Sequence, residues 1–327
     1  MTLKFGCFVP QGWRMDLVEI ADPIEKYEAM TAVAKTADAG PWDSIWLYDH
    51  FHTIPETTME TTFECWTATA TLARDTSRVK IGQMVTCNGY RQPSLLAKIA
   101  STVDVASHGR LLCGLGAGWH EEEWNAYGFG DGFPETRERM QMFREAVEII
   151  HKMWTEDAPE FHGKHYTIDK PVNEPKGAQQ PHIPLWIGGG GEQVTLKLVA
   201  QYGDASNTGG TPENVRHKLE VLKRHCETVG RDYNEIVKSS NLIIHFLNKG
   251  DDPAKATERF RKATGQTYDE FVQSGALVGT PEAVIDRVGQ LVDAGVEYVI
   301  GYFPLVAYDR EPLQRFVEVV MPAFTGA

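Results

Sequence analysis

Short apolar or β-branched runs alternate with amphipathic stretches of about 12–18 residues along the whole chain, and this alternation restricts its fold more than any other feature. The pattern predicts strands at Leu3–Val9, Ser44–Tyr48, Val79–Thr86, Arg110–Gly116, Leu185–Gly188, Ala205–Thr208, Val237–Leu247 and Tyr298–Phe303. Helices are predicted near 24–39, 64–74, 93–107, 135–154, 192–202, 212–229, 281–294 and 311–321. Eight strands, each followed by a helix, fit an α/β fold of the closed (β/α)8 type, a TIM barrel, better than an open doubly wound sheet. Barrels of this kind run past 250 residues as one unit, so residues 1–327 are expected to form a single domain. Thr211-Pro212-Glu213 and Thr280-Pro281-Glu282 each supply a capping hydroxyl, a proline at the first helical position and an acid in the first turn. Two segments break the alternation. Pro159–Asp169 reads as a hairpin inserted after the fourth helix, and the polar Lys249–Ala276 as a helical insertion between the seventh and eighth strands.

Composition matters here for what it excludes. The formal net charge is -13, and no Lys/Arg-rich block offsets it, so neither nucleic acid nor an acidic membrane surface is an expected partner. Any anionic ligand must be held by local backbone amides and a few placed cations against an unfavourable field. No apolar run approaches the roughly 18 residues of a membrane span, and the opening MTLKFGCFVPQGW lacks the regions of a signal peptide. The five cysteines are odd in number and show no CxxC pairing, which fits free thiols and a cytoplasmic location. The expected partners are a small-molecule substrate and a second copy of the chain in a homodimer.

In a parallel barrel, ligands bind where strands end. The second predicted strand ends in Tyr48-Asp49-His50-Phe51-His52. Adjacent residues point to opposite sides, so Asp49 and His50 are not a triad-like pair: one could line the mouth while the other braces the loop. Asp49 as a turn cap with His50 buried and satisfied, and His50 as an acid/base group, are both open readings. Gly82 in the third strand suggests a bulge, a close backbone approach, or a glycine demanded by barrel packing. The fourth strand runs into Gly114-Leu115-Gly116-Ala117-Gly118-Trp119, which has part of the spacing of a dinucleotide fingerprint without its helix or later acid. It offers a floor poor in side chains and an aromatic wall in Trp119. The acids Glu121 to Glu123 read most simply as a solvated first helical turn.

The fifth strand leads into Gly188-Gly189-Gly190-Gly191-Glu192 and a helical run. Four glycines opening a helix expose amides and its positive end, so phosphate binding is the favoured reading. No Lys-Ser/Thr follows, so this is not a P-loop. His50/His52 and His162/His165 come without an HExxH helix or a clear third ligand, and no metal site is expected. No G-x-S-x-G elbow and no catalytic cysteine signature is present.

Taken together, these segments resemble the luciferase-like flavin and deazaflavin enzymes over nearly the whole chain. The resemblance rests on FVPQGW, Asp49-His50-Phe51, Gln83-Met84-Val85-Thr86 leading to Tyr90-Arg91-Gln92-Pro93, LAKIASTVDVASHGRLLCGLGAGW, IGGGGE and VGTPEAV. The long middle block is its most specific part. The Asp-His-Phe form looks like the branch that uses coenzyme F420, a 5-deazaflavin, more than the FMN monooxygenases.

The resemblance implies hydride transfer between coenzyme F420 and a small organic substrate. It places Asp49 and His50 beside the reactive centre of the ring, with His50 handling the proton and Asp49 orienting the network. It implies a backbone bulge, often with a non-proline cis peptide, near Gln83–Met84 with Thr86 just beyond, and a phosphate-side segment at Gly188–Gly191 and Glu192. Gly118 and Trp119, with Trp13 and the 50s loop, would complete the cofactor and substrate pocket. Two departures matter: a tryptophan of the sugar-phosphate-oxidising relatives is Ile54 here, and their acidic glutamate is Trp119. Both argue against a glucose-6-phosphate substrate. The rival readings are an FMN-dependent monooxygenase on the same barrel, a non-catalytic flavin-binding barrel, and more distantly a metal-dependent hydrolase.

Overall fold

Strand formation here follows from burial on both faces. The computed structural model describes residues 3–325. In chain order its strands are β1 (Lys4–Phe8), β2 (Ser44–Leu47), β3 (Lys80–Gln83), β4 (Thr86–Cys87), β5 (Leu111–Gly116), β6 (Glu160–His162), β7 (Thr167–Asp169), β8 (Leu185–Gly188), β9 (Ala205–Asn207), β10 (Val237–Phe246), β11 (Ala276–Gly279) and β12 (Tyr298–Tyr302). Eight of them pair in parallel in the order β1-β2-β3-β5-β8-β9-β10-β12. The ring closes where Phe5 of β1 stands opposite Val299 of β12. All eight predicted strands are therefore barrel strands, and the fold is a TIM barrel.

Successive side chains point to opposite sides of the wall. In β2, Ile45 and Leu47 join the layer under the helices, whereas Trp46 fills the barrel interior with Leu112, Trp186, Tyr298 and Ile300. Trp46 is large enough to dictate its neighbours. A Cβ on Gly82 would stand 2.6 Å from Trp46 Cζ3, and one on Gly6 2.5 Å from Trp46 Nε1. Gly82 is thus a packing glycine. The irregularity lies two residues later, where the Met84–Val85 peptide is cis and the wall resumes as β4, paired with β5.

The helices are α1 (Pro23–Ala39), α2 (Cys65–Asp75), α3 (Pro93–Ala106), α4 (Glu121–Tyr127), α5 (Thr136–Thr155), α6 (Thr195–Tyr202), α7 (Pro212–Val229), α8 (Pro253–Ala256), α9 (Glu258–Thr264), α10 (Tyr268–Gln273), α11 (Pro281–Asp293), α12 (Glu311–Arg315) and α13 (Pro322–Thr325). Thr211 caps α7 by accepting the Asn214 N–H at 3.3 Å. The segment after α5 is an antiparallel hairpin of β6 and β7. The 249–276 segment contains α8, α9 and α10, then enters β11, which pairs in parallel with residues 243–246 of β10. The final predicted helix is broken: a π-helical turn over Phe316–Val320 separates α12 and α13. No helix among the described residues is long and apolar enough to cross a membrane.

Candidate active site

The carboxyl ends of the barrel strands surround a cavity of about 360 Å³, in the size range of small-molecule sites. From the end of β2 come Tyr48, Asp49 and His50; from the β3–β4 irregularity, Met84, Val85 and Cys87; from the end of β5, Gly116, Ala117, Gly118 and Trp119. Gly188, Gly189 and Thr195 close the side at β8, and Asn207 and Asn241 the side at β9 and β10.

Asp49 is buried and fully engaged. Its two oxygens receive Arg91 Nη1 at 2.6 Å and Nη2 at 2.9 Å, and Oδ2 also accepts the Cys87 N–H at 2.9 Å. Arg91 reaches on to Glu64 Oε1 at 2.5 Å. Burial opposes the Arg91 charge, but Asp49 outweighs it and holds the guanidinium above its ordinary value. This bidentate, charge-assisted pair locks the end of β2 to the segment after β4. Burial, reinforced by the Asp49 charge, pushes the Cys87 thiol up to about 12, so Cys87 lines the cavity as a neutral thiol.

His50 is held from two sides. Its ring lies parallel to Trp13, with centroids 4.2 Å apart and planes 5° apart. Its Nδ1 is 2.9 Å from Glu123 Oε2. Glu123, expected in a solvated helical turn, is instead completely buried. Its Oε1 accepts the Phe51 and His52 N–H groups, both at 2.8 Å, and its Oε2 also accepts the Tyr90 hydroxyl at 2.5 Å. Burial raises its pKa, but the His50 interaction and these hydrogen bonds win, and the carboxyl is held down to about 2. A carboxylate only accepts, so Nδ1 carries the proton, and Nε2 is the nitrogen left to exchange one.

Several other residues noticed in the sequence fall elsewhere. Gln83 donates to Thr69 Oγ1 at 3.0 Å, and Thr86 Oγ1 accepts from Trp66 Nε1 at 3.2 Å, so both face α2 rather than the cavity. Met84 and Val85 face inward together. Val85 is pressed on the glycine floor: a Cβ at Gly116 would stand 2.5 Å from its Cγ2, and one at Gly188 2.6 Å from its Cγ1. The glycine run divides. Gly188 and Gly189 line the cavity, whereas Gly190 lies against the Lys218 methylenes and Gly191 against Thr195. Glu192 turns toward α7, pairing with Lys218 at 2.7 Å and His217 at 3.0 Å. The helix starts at Thr195, three residues after Glu192. The Gly189 N–H is spent on the Asn207 carbonyl at 2.9 Å.

Glu123, Tyr90, Cys87, Thr195, Asn207 and Asn241 are the site residues that the sequence did not single out. Tyr90 was present only within a motif, and Glu123 was hidden among three consecutive glutamates, of which only the third reaches the 50s loop. Asn207 Nδ2 donates to Ser239 Oγ at 2.9 Å and to Asn241 Oδ1 at 3.0 Å, which leaves the side-chain oxygen Oδ1 of Asn207 and Nδ2 of Asn241 for a ligand. Among the described residues, no three His, Cys, Asp or Glu side chains gather in a way that could hold a metal ion.

Residues 3–264 match the family model of luciferase-like monooxygenases. The F420-dependent glucose-6-phosphate dehydrogenase of Kineococcus radiotolerans is 31% identical over 228 residues, 67% of this chain and 63% of that protein. The 5,10-methylenetetrahydromethanopterin reductase of Archaeoglobus fulgidus is 24% identical, with 92% of this chain and 97% of that one covered. Among solved structures, an F420-dependent secondary alcohol dehydrogenase in complex with an F420-acetone adduct superposes over all of both chains, with a TM-score of 0.78 and 20% identity. The monooxygenase RslO1 from Streptomyces bottropensis superposes with a TM-score of 0.77 and 19% identity, over 98% of this chain and 99% of that one. At such identities the structural likeness speaks for the fold.

Proposed function

The chain belongs to the luciferase-like monooxygenase family, and on that premise we propose that it is a coenzyme F420-dependent oxidoreductase acting on a small organic substrate. The observation that carries this reading is a histidine with one nitrogen fixed by a buried carboxylate and the other free, at a cavity with an apolar, glycine-lined floor. F420-dependent dehydrogenases and reductases among its relatives support the choice of cofactor.

The residues present fit such a group. Met84, Val85, Gly116 and Gly118 offer a flat apolar face, and Asn207 Oδ1 and Asn241 Nδ2 offer an acceptor and a donor to the polar edge of a ring. Gly188, Gly189 and Thr195 would take the phosphate side, with Gly190, Gly191 and Glu192 behind them. Gln83 and Thr86 would support the floor from the α2 side. When bound, the deazaflavin supplies two-electron hydride chemistry, because carbon stands where a flavin carries its reactive nitrogen.

The chain then has to position the substrate and manage one proton. His50 Nε2 gives or takes that proton. Glu123 keeps Nδ1 protonated and stabilises the ring when it becomes an imidazolium. Asp49 acts by position: with Arg91 and the Cys87 amide occupying its oxygens, it holds the end of β2 in place. Trp13 fixes the plane of the imidazole, and Trp119 with His120 screens it from the mouth side.

Titration of the purified protein with oxidised coenzyme F420 and, separately, with FMN, followed by fluorescence, tests the assignment. Micromolar or tighter binding of F420 with much weaker binding of FMN is expected. Stoichiometric FMN surviving purification, with no response to F420, would replace this reading with that of an FMN monooxygenase.

A further inference from the structure

Arg14 stands out among the cations near the cavity because no carboxylate pairs with it directly, although Tyr48 and the more distant Asp16 favour its charge. It follows Trp13, which lines the cavity, and is itself half-buried. Its guanidinium carbon lies 4.8 Å from the Trp13 ring centroid, 5.0 Å from that of Tyr302 and 5.4 Å from that of Tyr48. Aromatic faces attract a cation without cancelling its charge. Arginines so enclosed are ordinarily paired with carboxylates. The other cations at the site obey that rule: Arg91 is paired with Asp49 and Glu64, and Lys218 with Glu192. Among the described residues, no carboxylate oxygen lies within 4.0 Å of Arg14. Its Nε is buried without a hydrogen-bond partner. The nearby Asp16 attracts Arg14 only at longer range, its oxygens accepting from the Gly12 N–H at 2.8 Å and the Tyr302 hydroxyl at 3.2 Å.

We propose that Arg14 receives an anionic group of the substrate, and that the substrates are small aromatic or conjugated carboxylates, or anions of like shape, held between Arg14 and the Trp13, Tyr48 and Trp119 walls with the reacting atom near His50. This rests on the oxidoreductase reading above and adds a substrate class to it. The acidic chain repels anions as a whole, so one guanidinium without a directly paired carboxylate, set against the cavity-lining rings of Trp13 and Tyr48, gives them a local site and a fixed orientation. The cofactor's own phosphate and carboxylates share this chemistry. Arg14 belongs to the β1 side, however, and in the ring order β8, with the glycine turn, stands diametrically across from β1.

The test uses benzoate and its neutral isostere benzamide as probes, titrated calorimetrically into the wild type, Arg14→Lys and Arg14→Met, with coenzyme F420 affinity measured by fluorescence in each. The wild type should prefer benzoate by at least about tenfold. The preference should vanish in Arg14→Met and persist in part in Arg14→Lys, while F420 affinity stays within about threefold throughout. Absence of benzoate binding to the wild type, equal binding of the two probes, or an undiminished preference in Arg14→Met would each overturn the proposal. So would a loss of F420 affinity with benzoate unaffected, which would assign the cation to the cofactor. Should Arg14→Met fail to fold, the wild-type comparison and the lysine variant decide. The probes bind without cofactor, so a wild type that binds benzoate but ignores F420 counts against the oxidoreductase reading and not against the anion site.

Discussion

His50 and Glu123 meet at 2.9 Å across 73 residues of chain, the imidazole arriving from the end of β2 and the carboxylate from the first turn of α4. The acid is fully buried, yet it receives hydrogen bonds from both the Phe51 and His52 amides and from Tyr90. One carboxylate therefore sets the tautomer of the histidine and the shape of the loop that carries it.

If His50 Nε2 manages the proton of hydride transfer, His50→Ala should leave cofactor affinity nearly intact and lower turnover by about 10²–10⁴-fold, the usual range for a general acid or base. The pH–rate profile should lose one limb in the variant. A turnover within about threefold of wild type, on a substrate the protein accepts, would move the proton role elsewhere.

Glu123→Gln exchanges an obligate acceptor for a group that also donates, so Nδ1 of His50 is no longer forced to carry the proton. Nitrogen-15 spectra of histidine should show Nδ1–H in the neutral wild-type ring and a mixture of tautomers in the variant. Turnover should fall by at least about tenfold, and the protein should lose about 2–4 kcal/mol of stability, because amide donors now face an amide. Unchanged spectra would show that another group sets the tautomer.

The same carboxyl yields a pH dependence of definite sign. Its folded pKa, about 2, lies below the ordinary glutamate value of 4.5, so its stabilisation is complete above about pH 5 and is lost as the pH falls toward 2. Chemical denaturation at a series of acid pH values should show this loss in the wild type. In Glu123→Gln the slope over that window should be shallower.

The divided glycine run predicts unequal effects. Gly188→Ala puts a methyl group 2.6 Å from Val85 Cγ1 and must shift the cavity floor, so cofactor affinity should fall by at least about tenfold. A Cβ at Gly190 meets only Lys218 methylenes at 3.4 Å or beyond, which can move aside, so Gly190→Ala should bind the cofactor within about threefold of wild type. Equal losses at both positions would mean that the outer half of the turn also touches the ligand.

The barrel was legible because strands buried on both faces read as continuous apolar runs, and each was followed by a helix with its own periodicity. β11 was not, since Ala276–Gly279 is too short to show a period and exists only because β10 extends beyond the barrel to pair with it. Which side chains around the expected bulge enter the cavity was not legible for a related reason. In a regular strand Gln83 and Thr86, three apart, would point to opposite sides. The irregularity at Met84 and Val85 turns both of those residues inward and leaves Gln83 and Thr86 on the α2 side. Asp49 and His50 were visible as a pair at a strand end, but their partners were not. Arg91 lies 42 residues from Asp49 and Glu123 lies 73 from His50, separations that only the folded ring of strands brings together.

Because His50 and Tyr90 share a single oxygen, Oε2 of Glu123, neither hydrogen bond has an energy of its own. Removing one donor should strengthen the other, and removing both should leave a buried anion addressed chiefly by the Phe51 and His52 amides. The coupling free energy of a His50–Tyr90 double-mutant cycle is thus a property of that oxygen. Substitutions at Tyr90, a residue that touches no proton in the proposed reaction, will register in the chemistry of a histidine through the sharing of one lone-pair environment.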